Sequence, residues 1–185
     1  MRLLIVSAAT HYQYGSKIYG YGAYALEIEI WADLFSEVVI AAPCRTTMPP
    51  EDYLVLNRPN ISLIPQMETG GPGLRSKALQ LLLLPALVWG LMRAMRYADA
   101  IHVRCPGNLS LLGVLLAPLF SKYLVAKYAG QWSGYPGESW GWCLQNRLLR
   151  SRWWRGPVTV YGRWPNQSKN IVPFFTFLIL FMLIR

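Results

Sequence analysis

The chain has 185 residues, which is enough for about one domain with a core of its own. It carries a formal net charge of +9, and 54% of its residues are hydrophobic, with eight Trp and eleven Tyr. A basic and aromatic surface suits an anionic partner such as a membrane surface, a phosphorylated ligand or a nucleic acid. The three cysteines are odd in number and widely spaced, which argues against a disulfide framework or a zinc site and indicates a reducing compartment.

The first half of the chain alternates predicted strands with predicted helices. Residues 2–9, RLLIVSAA, indicate a buried strand rather than a signal peptide, because the apolar run is only about seven residues long. The pattern then predicts a helix over 22–35, strands over 37–43 and 61–66, and a long helix over about 74–97 that is kinked at Pro85. The helix over 22–35 is expected to place Ala23, Leu26, Ile30 and Leu34 on one face.

The second half continues the alternation. The pattern predicts a strand over 100–106, a helix over 108–122, a strand over 123–128, a helical stretch over 139–154 and a strand over 157–162. Continuous apolar strands that alternate with helices give a parallel sheet covered on both faces. The sequence therefore predicts an α/β fold: an open, doubly wound, Rossmann-like parallel sheet of about six strands with helices on both faces, in one domain over 1–170.

Three apolar stretches need to be compared with membrane spans. Residues 78–92, 109–120 and 171–184 contain fifteen, twelve and fourteen residues, whereas a spanning helix needs about 20. Residues 171–185 are expected to form an apolar tail that is aberrant or reflects a truncated gene, with a short membrane-inserting tail as the alternative.

Three loops are expected at the sheet edge where ligands bind, because each follows the carboxyl end of a predicted strand. These loops cover residues 10–24, 104–110 and 129–140, and all three combine glycine with aromatic or basic residues. The third, AGQWSGYPGESW, holds three glycines and two tryptophans. We expect it to form one wall of a ligand cleft, with the glycines admitting a ligand close to the backbone.

A dinucleotide is not the expected ligand. Gly20, Gly22 and Ala25 match the G-x-G-x-x-A fingerprint, but about ten residues separate the match from the first strand, which the fingerprint should follow directly. The acidic residue that binds the ribose is also missing after the second strand.

The segments ADAIHVRCPGNLSLLG, YLVAKYAGQW and NIVPFF, together with the glycine-containing loop after the first strand, resemble the N-terminal half of a GT-B glycosyltransferase. The similarity is to the large retaining class called family four, and it covers about residues 1–176. It implies an acceptor-binding domain that faces a second domain, which grips the nucleotide-sugar. The nucleotide-sugar is then a co-substrate; no cofactor is expected, and the absence of any D-x-D motif speaks against a metal site.

The resemblance also implies binding residues. The first glycine-containing loop would lie under the donor's phosphates, where backbone N–H groups at a helix start suit an anion, unless it is only a flexible surface loop. Arg104 matches an arginine of some members and is expected either to bind phosphate or carboxylate or to form a surface ion pair. The implied substrate-binding residues, including those of the predicted cleft wall, are Tyr14, Gly15, Ser16, Lys17, Gly20, Gly22, Arg104, Gly130 and Trp132.

The catalytic base is expected at His11 or Glu138. Many members carry a histidine just after the fifth strand, where this chain has Ala129 and Gly130. His11 follows the first strand and can reach a ligand, whereas His102 lies inside a buried strand and is expected to be a core residue. Glu138 is the carboxylate of the three cleft loops, and it either holds an acceptor hydroxyl or caps the following helix.

Two functions follow as expectations. The first is the acceptor-side half of a glycosyltransferase that acts on a glycan or lipid-linked acceptor and is inactive alone, because the donor-binding domain is missing from these residues. The second is a non-catalytic, membrane-associated subunit that presents an acceptor or recruits a separate catalytic chain. The basic stretch 147–156 suits anionic lipid or is a solvated helix end. No nucleic-acid recognition module occurs, so nucleic acid is not an expected partner. The expected location is the cytoplasm, either free or at the inner face of the membrane.

Overall fold

The structure is a computed structural model that describes residues 1–68, 73–165 and 167–174. Ten strands and four α-helices lie in this described part. In chain order they are β1 (Arg2–Ser7), β2 (His11–Tyr14), β3 (Lys17–Tyr21), α1 (Gly22–Leu34), β4 (Glu37–Arg45), β5 (Tyr53–Val55), β6 (Ile61–Gln66), α2 (Leu74–Met95), β7 (Ala100–Cys105), α3 (Asn108–Leu116), β8 (Tyr123–Tyr128), α4 (Trp140–Arg150), β9 (Val158–Tyr161) and β10 (Ile171–Phe174). A short 3-10 turn, Ala117–Leu119, follows α3.

All ten strands belong to one extended, mostly parallel sheet. Its order is β10-β9-β8-β7-β1-β4-β2-β3-β5, and β6 also pairs with β4. Strand β4 is long enough to pair twice: its first part lies between β1 and β6, and its last residues, Cys44 and Arg45, pair with β2. The antiparallel pairs of the described sheet are β2–β3 and β3–β5, which extend it beyond β4. The parallel strands β6-β4-β1-β7-β8-β9-β10 therefore place β1 in the interior, between β4 and β7.

One face of the sheet is covered by three helices. Leu4 and Val6 of β1 and the matching residues of β4 and β7 point to this face, and all are fully buried. The helical side chains packed on them are Leu87, Leu91 and Met95 of α2, Leu109 and Val114 of α3, and Leu149 of α4. Burying each such side chain stabilises the fold by about 1.5–3 kcal/mol.

The opposite face of β1 is covered by α1. Leu3 and Ile5 point to this side because successive residues of a strand alternate between faces. Helix α1 packs on them with Tyr24, Ile28 and Ala32. The face predicted from the sequence was therefore wrong: Ala23, Leu26, Ile30 and Leu34 are exposed. The helix is apolar around most of its circumference, so its periodicity did not identify the buried side.

The mixed α/β architecture, with a mostly parallel sheet flanked by helices, is confirmed. The predicted count of about six strands is wrong, because the described residues contain ten. The six predicted strands correspond to β1, β4, β6, β7, β8 and β9, and the additional strands are β2, β3, β5 and β10. Residues 11–21, predicted as a glycine-containing loop, form a hairpin whose turn holds Gly15 at a φ of 61°. Strand β10 pairs with β9, and residues 175–185 of the predicted tail lie outside the described residues.

Candidate functional site

A buried ionic cluster lies at the carboxyl ends of β7 and β8, under α1. The Oε2 oxygen of Glu27 accepts a hydrogen bond from Nζ of Lys127 at 2.7 Å and one from Nη1 of Arg104 at 3.3 Å. The Glu27, Arg104 and Lys127 side chains are exposed by only 12%, 18% and 3%. We call these three residues the ionic cluster.

The sheet register places the two cations side by side. Arg104 pairs with Lys127 across β7 and β8, and it also pairs with Ser7 at the end of β1. Paired residues of neighbouring strands point to the same face, so both cations reach the side that α1 covers. Glu27 lies one helical turn after Tyr24 and therefore projects from the buried side of α1.

Aromatic rings surround the ionic cluster. The guanidinium carbon of Arg104 lies 4.3 Å from the centroid of the Tyr24 ring, and Nζ of Lys127 lies 4.3 Å from that of Phe174. Cation–π contacts of this kind are favourable when the cation is shielded from water. Burial raises the pKa of Tyr24 to about 12, so its hydroxyl stays neutral. The cluster thus combines two cations with one carboxylate in an apolar and aromatic surround.

His11 is fully buried beside Tyr24. Its Nδ1–H donates a hydrogen bond to the Ala9 carbonyl at 3.0 Å, and its Nε2 has no partner among the described residues. The ring meets Tyr24 edge-on at 5.6 Å, and a side chain on Gly20 would stand 3.7 Å from it. Burial lowers the pKa of His11 to about 4, so the imidazole is neutral at physiological pH and presents Nε2 as an acceptor.

The other predicted residues of the first loop are divided between two places. Tyr14, Gly15, Ser16 and Lys17 are exposed at the tip of the β2–β3 hairpin. Gly22 begins α1, but its N–H donates to the Asp52 carbonyl at 2.8 Å and is therefore occupied. The hairpin brings His11 and Gly20 close to the ionic cluster through Tyr24, and it leaves the tip residues in solvent.

Trp132 lies in the core and does not line a cleft in this structure. It is exposed by only 1% and belongs to the apolar cluster on the sheet face that α2, α3 and α4 cover, called the α2–α4 face. Arg104 points to the opposite sheet face, which α1 covers. Tyr128 meets its ring edge-on at 5.1 Å, and the guanidinium carbon of Arg150 lies 4.7 Å from its centroid. Gly130 is tightly packed, since a side chain there would stand 3.3 Å from Pro106. The structure therefore does not bring Trp132 together with Arg104.

Glu138 precedes α4 and contacts neither of the two cations. One carboxylate oxygen accepts from the Tyr128 hydroxyl at 3.4 Å, and the other accepts from the Cys143 thiol at 3.3 Å. The helix cap is Ser139, whose hydroxyl accepts from the Trp142 N–H at 3.4 Å. The carboxylate thus fixes the loop to β8 and α4.

Sequence reasoning missed Glu27 and Lys127. A signal was present, because Arg104 and Lys127 each interrupt an apolar strand at the residue before its last. A charge inside a continuous apolar run needs a buried partner. The partner itself could not be found from spacing, since Glu27 is 77 residues from Arg104 and 100 from Lys127.

A comparison with protein-family models finds no family that matches this chain, and a search of curated proteins finds no relative. Among residues 1–68, 73–165 and 167–174, no group of three His, Cys, Asp or Glu side chains is placed to hold a metal ion.

Proposed function

We propose that this chain is the acceptor-side half of a GT-B glycosyltransferase, which transfers a sugar from a nucleotide-sugar to a glycan or lipid-linked acceptor. The donor is held by a second, donor-binding domain. The observation that carries this proposal is the ionic cluster of Glu27, Arg104 and Lys127 at the carboxyl ends of β7 and β8. Ligands of open parallel sheets bind at this edge.

The proposal treats the sheet as doubly wound and Rossmann-like. The strand order supports this interpretation. The parallel strands β4 and β6, which come earlier in the chain, lie on one side of β1, and the later strands β7 to β10 lie on the other side. Helix α1 lies on one face, and α2, α3 and α4 lie on the other. The switch point of such a sheet lies between β1 and β7, where Ser7 and Arg104 are register partners.

Within this proposal, Arg104 and Lys127 attract an anionic group of the acceptor, either a phosphate or a carboxylate. Glu27 holds both cations in place until that group binds and then shares them with it. Charge-assisted hydrogen bonds to such a group are about twice as strong as neutral ones. His11, neutral with a pKa of about 4, accepts a hydrogen bond from an acceptor hydroxyl at Nε2. Because His11 is fully buried, a ligand reaches it only when the β2–β3 hairpin moves.

The experiment is a ligand-binding screen by saturation-transfer NMR. The panel contains neutral glycans, phosphorylated sugars and sugars linked to polyprenyl phosphate, without any donor. Wild-type protein should bind an anionic member, and Arg104→Gln should weaken that binding by at least about tenfold, as expected for a lost hydrogen bond between charged groups.

The matched control is Arg58→Gln. Arg58 pairs with Asp33 on the exposed side of α1 and lies outside the ionic cluster, so this variant should bind like wild type. If no member of the panel binds, or if Arg104→Gln binds as well as Arg58→Gln, the proposal is wrong.

A second candidate is a non-catalytic, membrane-associated subunit that presents an acceptor or recruits a catalytic chain at the inner face of the membrane. The exposed apolar side of α2 favours it. The basic stretch 147–156 favours it less, because its aromatic residues serve packing: Trp154 is buried, and Nε1 of Trp153 donates to the Val114 carbonyl at 3.0 Å. The distinguishing observation is whether donor and acceptor are turned over once a donor-binding domain is supplied.

A further inference from the structure

Helix α2 has two apolar sides, of which only one is covered. Its inner side packs Leu87, Leu91 and Met95 against the sheet. Its outer side exposes large apolar residues to solvent, among them Leu82 by 76% and Trp89 by 67%. We call this surface the outer α2 face; its exposed apolar residues are Ala78, Leu79, Leu81, Leu82, Pro85, Ala86 and Trp89. A helix of a water-soluble domain normally has polar residues on that side, and a contiguous apolar patch marks an interaction surface.

The outer α2 face ends in arginine. Arg93 and Arg96 lie on the same side of the helix as Trp89, one and two turns further along. Arg75 is exposed in the first turn. Residues 74–97 contain no acidic side chain. Neither Arg93 nor Arg96 has an ion-pair partner within residues 1–68, 73–165 and 167–174. A hollow of about 220 Å³ lies between them, and it is lined by Trp89, Met92, Arg93, Arg96 and Tyr97.

We propose that the outer α2 face docks on an anionic lipid bilayer. The leucines and Trp89 enter the boundary between headgroups and acyl chains, and a lipid phosphate occupies the hollow between Arg93 and Arg96. An apolar side inserted about 5–10 Å deep, with arginines on its border, is the usual arrangement of an interfacial helix. Trp and Tyr at the border match the preference of these rings for the headgroup level.

The helix lies along the bilayer and does not cross it. The stretch Ala78–Met95 is the one helix of the described residues that is long and apolar enough to span by length and composition, with a mean hydropathy of 1.6. Its inner side, however, is held in the core of the domain, beside β6 and α3, by Leu87, Leu91 and Met95. Lipid cannot surround a helix that is packed on a sheet, so only the outer side is available.

A lipid surface fits this face better than another protein does, because of its charge. A second exposed apolar stripe on α1, made of Leu26, Ile30 and Leu34, carries Glu29 and Asp33 beside it. The outer α2 face has arginines and no acidic residue at its border, and the whole chain carries a charge of +9. Positive residues near an anionic surface gain about 1 kcal/mol each, which is about a fivefold gain in partitioning. The Ile30 and Leu34 side chains of this stripe are exposed by 57% and 69%, and the two carboxylates beside them share one cation, Arg58. The α1 stripe therefore supplies a control without a surplus of positive charge.

The test is sedimentation of the full chain with vesicles, without donor or acceptor. The probes are vesicles of phosphatidylcholine alone and of phosphatidylcholine mixed with phosphatidylglycerol at about three to one. Wild-type protein should sediment with the mixed vesicles and much less with the neutral ones. Leu82→Glu combined with Trp89→Glu should abolish sedimentation. Arg93→Gln combined with Arg96→Gln should weaken binding to mixed vesicles by about 25-fold, or fivefold for each arginine, and should remove the preference for them.

The control is Ile30→Glu combined with Leu34→Glu on α1, which should sediment like wild type. All variants change exposed side chains, and equal melting temperatures confirm that they fold. The proposal is overturned if the α2 variants sediment like wild type, because another segment then binds lipid. A second outcome also overturns it: wild-type protein does not bind vesicles and forms a dimer in solution. If Leu82→Glu combined with Trp89→Glu dissociates that dimer, a second copy of the chain covers the face.

This inference deepens the membrane contact of the second candidate function and does not depend on sugar transfer. The two can fail separately. If the protein binds vesicles but no acceptor, only the proposal of a membrane-binding face is supported. If it binds an acceptor through Arg104 but no vesicles, only the glycosyltransferase proposal is supported.

Discussion

Arg104 and Lys127 stand side by side at the ends of two neighbouring parallel strands, and both donate to the same oxygen of Glu27. Their side chains are largely removed from water, and Glu27 is the carboxylate that both cations share. Removing one partner of a buried ion pair costs more than the pair contributes, because it leaves a charge without compensation. The stability of this edge of the sheet therefore depends on Glu27.

We predict that Glu27→Gln lowers the free energy of unfolding by about 3–5 kcal/mol. Adding Lys127→Met to Glu27→Gln should recover part of the loss, since the double variant removes the more deeply buried cation. Urea unfolding followed by far-ultraviolet circular dichroism measures both values. A single variant as stable as wild type would show that the two cations do not need the Glu27 carboxylate.

The second prediction concerns Trp132. Its ring is buried among Tyr128, Arg150 and the core of the α2–α4 face. Trp132→Ala should cost about 3–5 kcal/mol of unfolding free energy, as for other buried large side chains. Trp140→Ala is the matched control: that side chain is exposed by 78%, so its removal should change stability by less than about 0.5 kcal/mol. Equal effects in the two variants would contradict the placement of Trp132 in the core.

The parallel strands could be predicted because each is a continuous apolar run, which is what burial on both faces requires. The β2–β3 hairpin was missed because residues 11–21 are rich in Tyr and Gly, a composition that also suits a binding loop. Its two-residue turn at Gly15 and Ser16, with alternating residues on both sides, was a hairpin signal that could have been recognised.

The candidate site was less predictable than the fold. The sequence predicts Arg104 as a binding residue from the family resemblance and from its place at a strand end, but its pairing with Lys127 and Glu27 depends on the strand register and on the position of α1. The sequence predicts Trp132 in a cleft wall because its loop follows the carboxyl end of a strand and combines glycines with aromatic residues. A loop has no repeating period that tells which side chain points inward, so the burial of Trp132 could not be predicted from the sequence.

The third prediction uses the thiols to test the contact between Glu138 and Cys143. The hydrogen bond to Glu138 raises the pKa of the exposed Cys143 thiol and so lowers the fraction of reactive thiolate. Glu138→Gln should therefore speed the labelling of Cys143 by a disulfide reagent. The buried Cys105, whose pKa is raised by desolvation, should react only after unfolding and serves as an internal control. An unchanged Cys143 rate in Glu138→Gln would mean that the carboxylate does not bond to this thiol.

The last prediction concerns pH. Burial lowers the pKa of His11 and of His102 from 6.5 to about 4, so both are neutral in the folded protein at physiological pH. In the unfolded chain they take up a proton near their ordinary pKa, and the unfolded state therefore binds more protons between the two values. The stability from keeping them neutral is complete above about pH 6.5 and is lost as the pH falls toward 4.

As the pH falls from about 7 to about 5, each histidine should lower the free energy of unfolding by about 2 kcal/mol. The slope is about 1.4 kcal/mol for each pH unit below the pKa of the unfolded chain. Urea unfolding across this range measures the slope. His102→Phe should remove about half of it, because the ring beside Trp31 then no longer titrates. His11→Gln should remove the other half, and the double variant should show only the weak slope of the acidic residues. If the double variant keeps the full slope, the two imidazoles are not the groups that take up protons on unfolding.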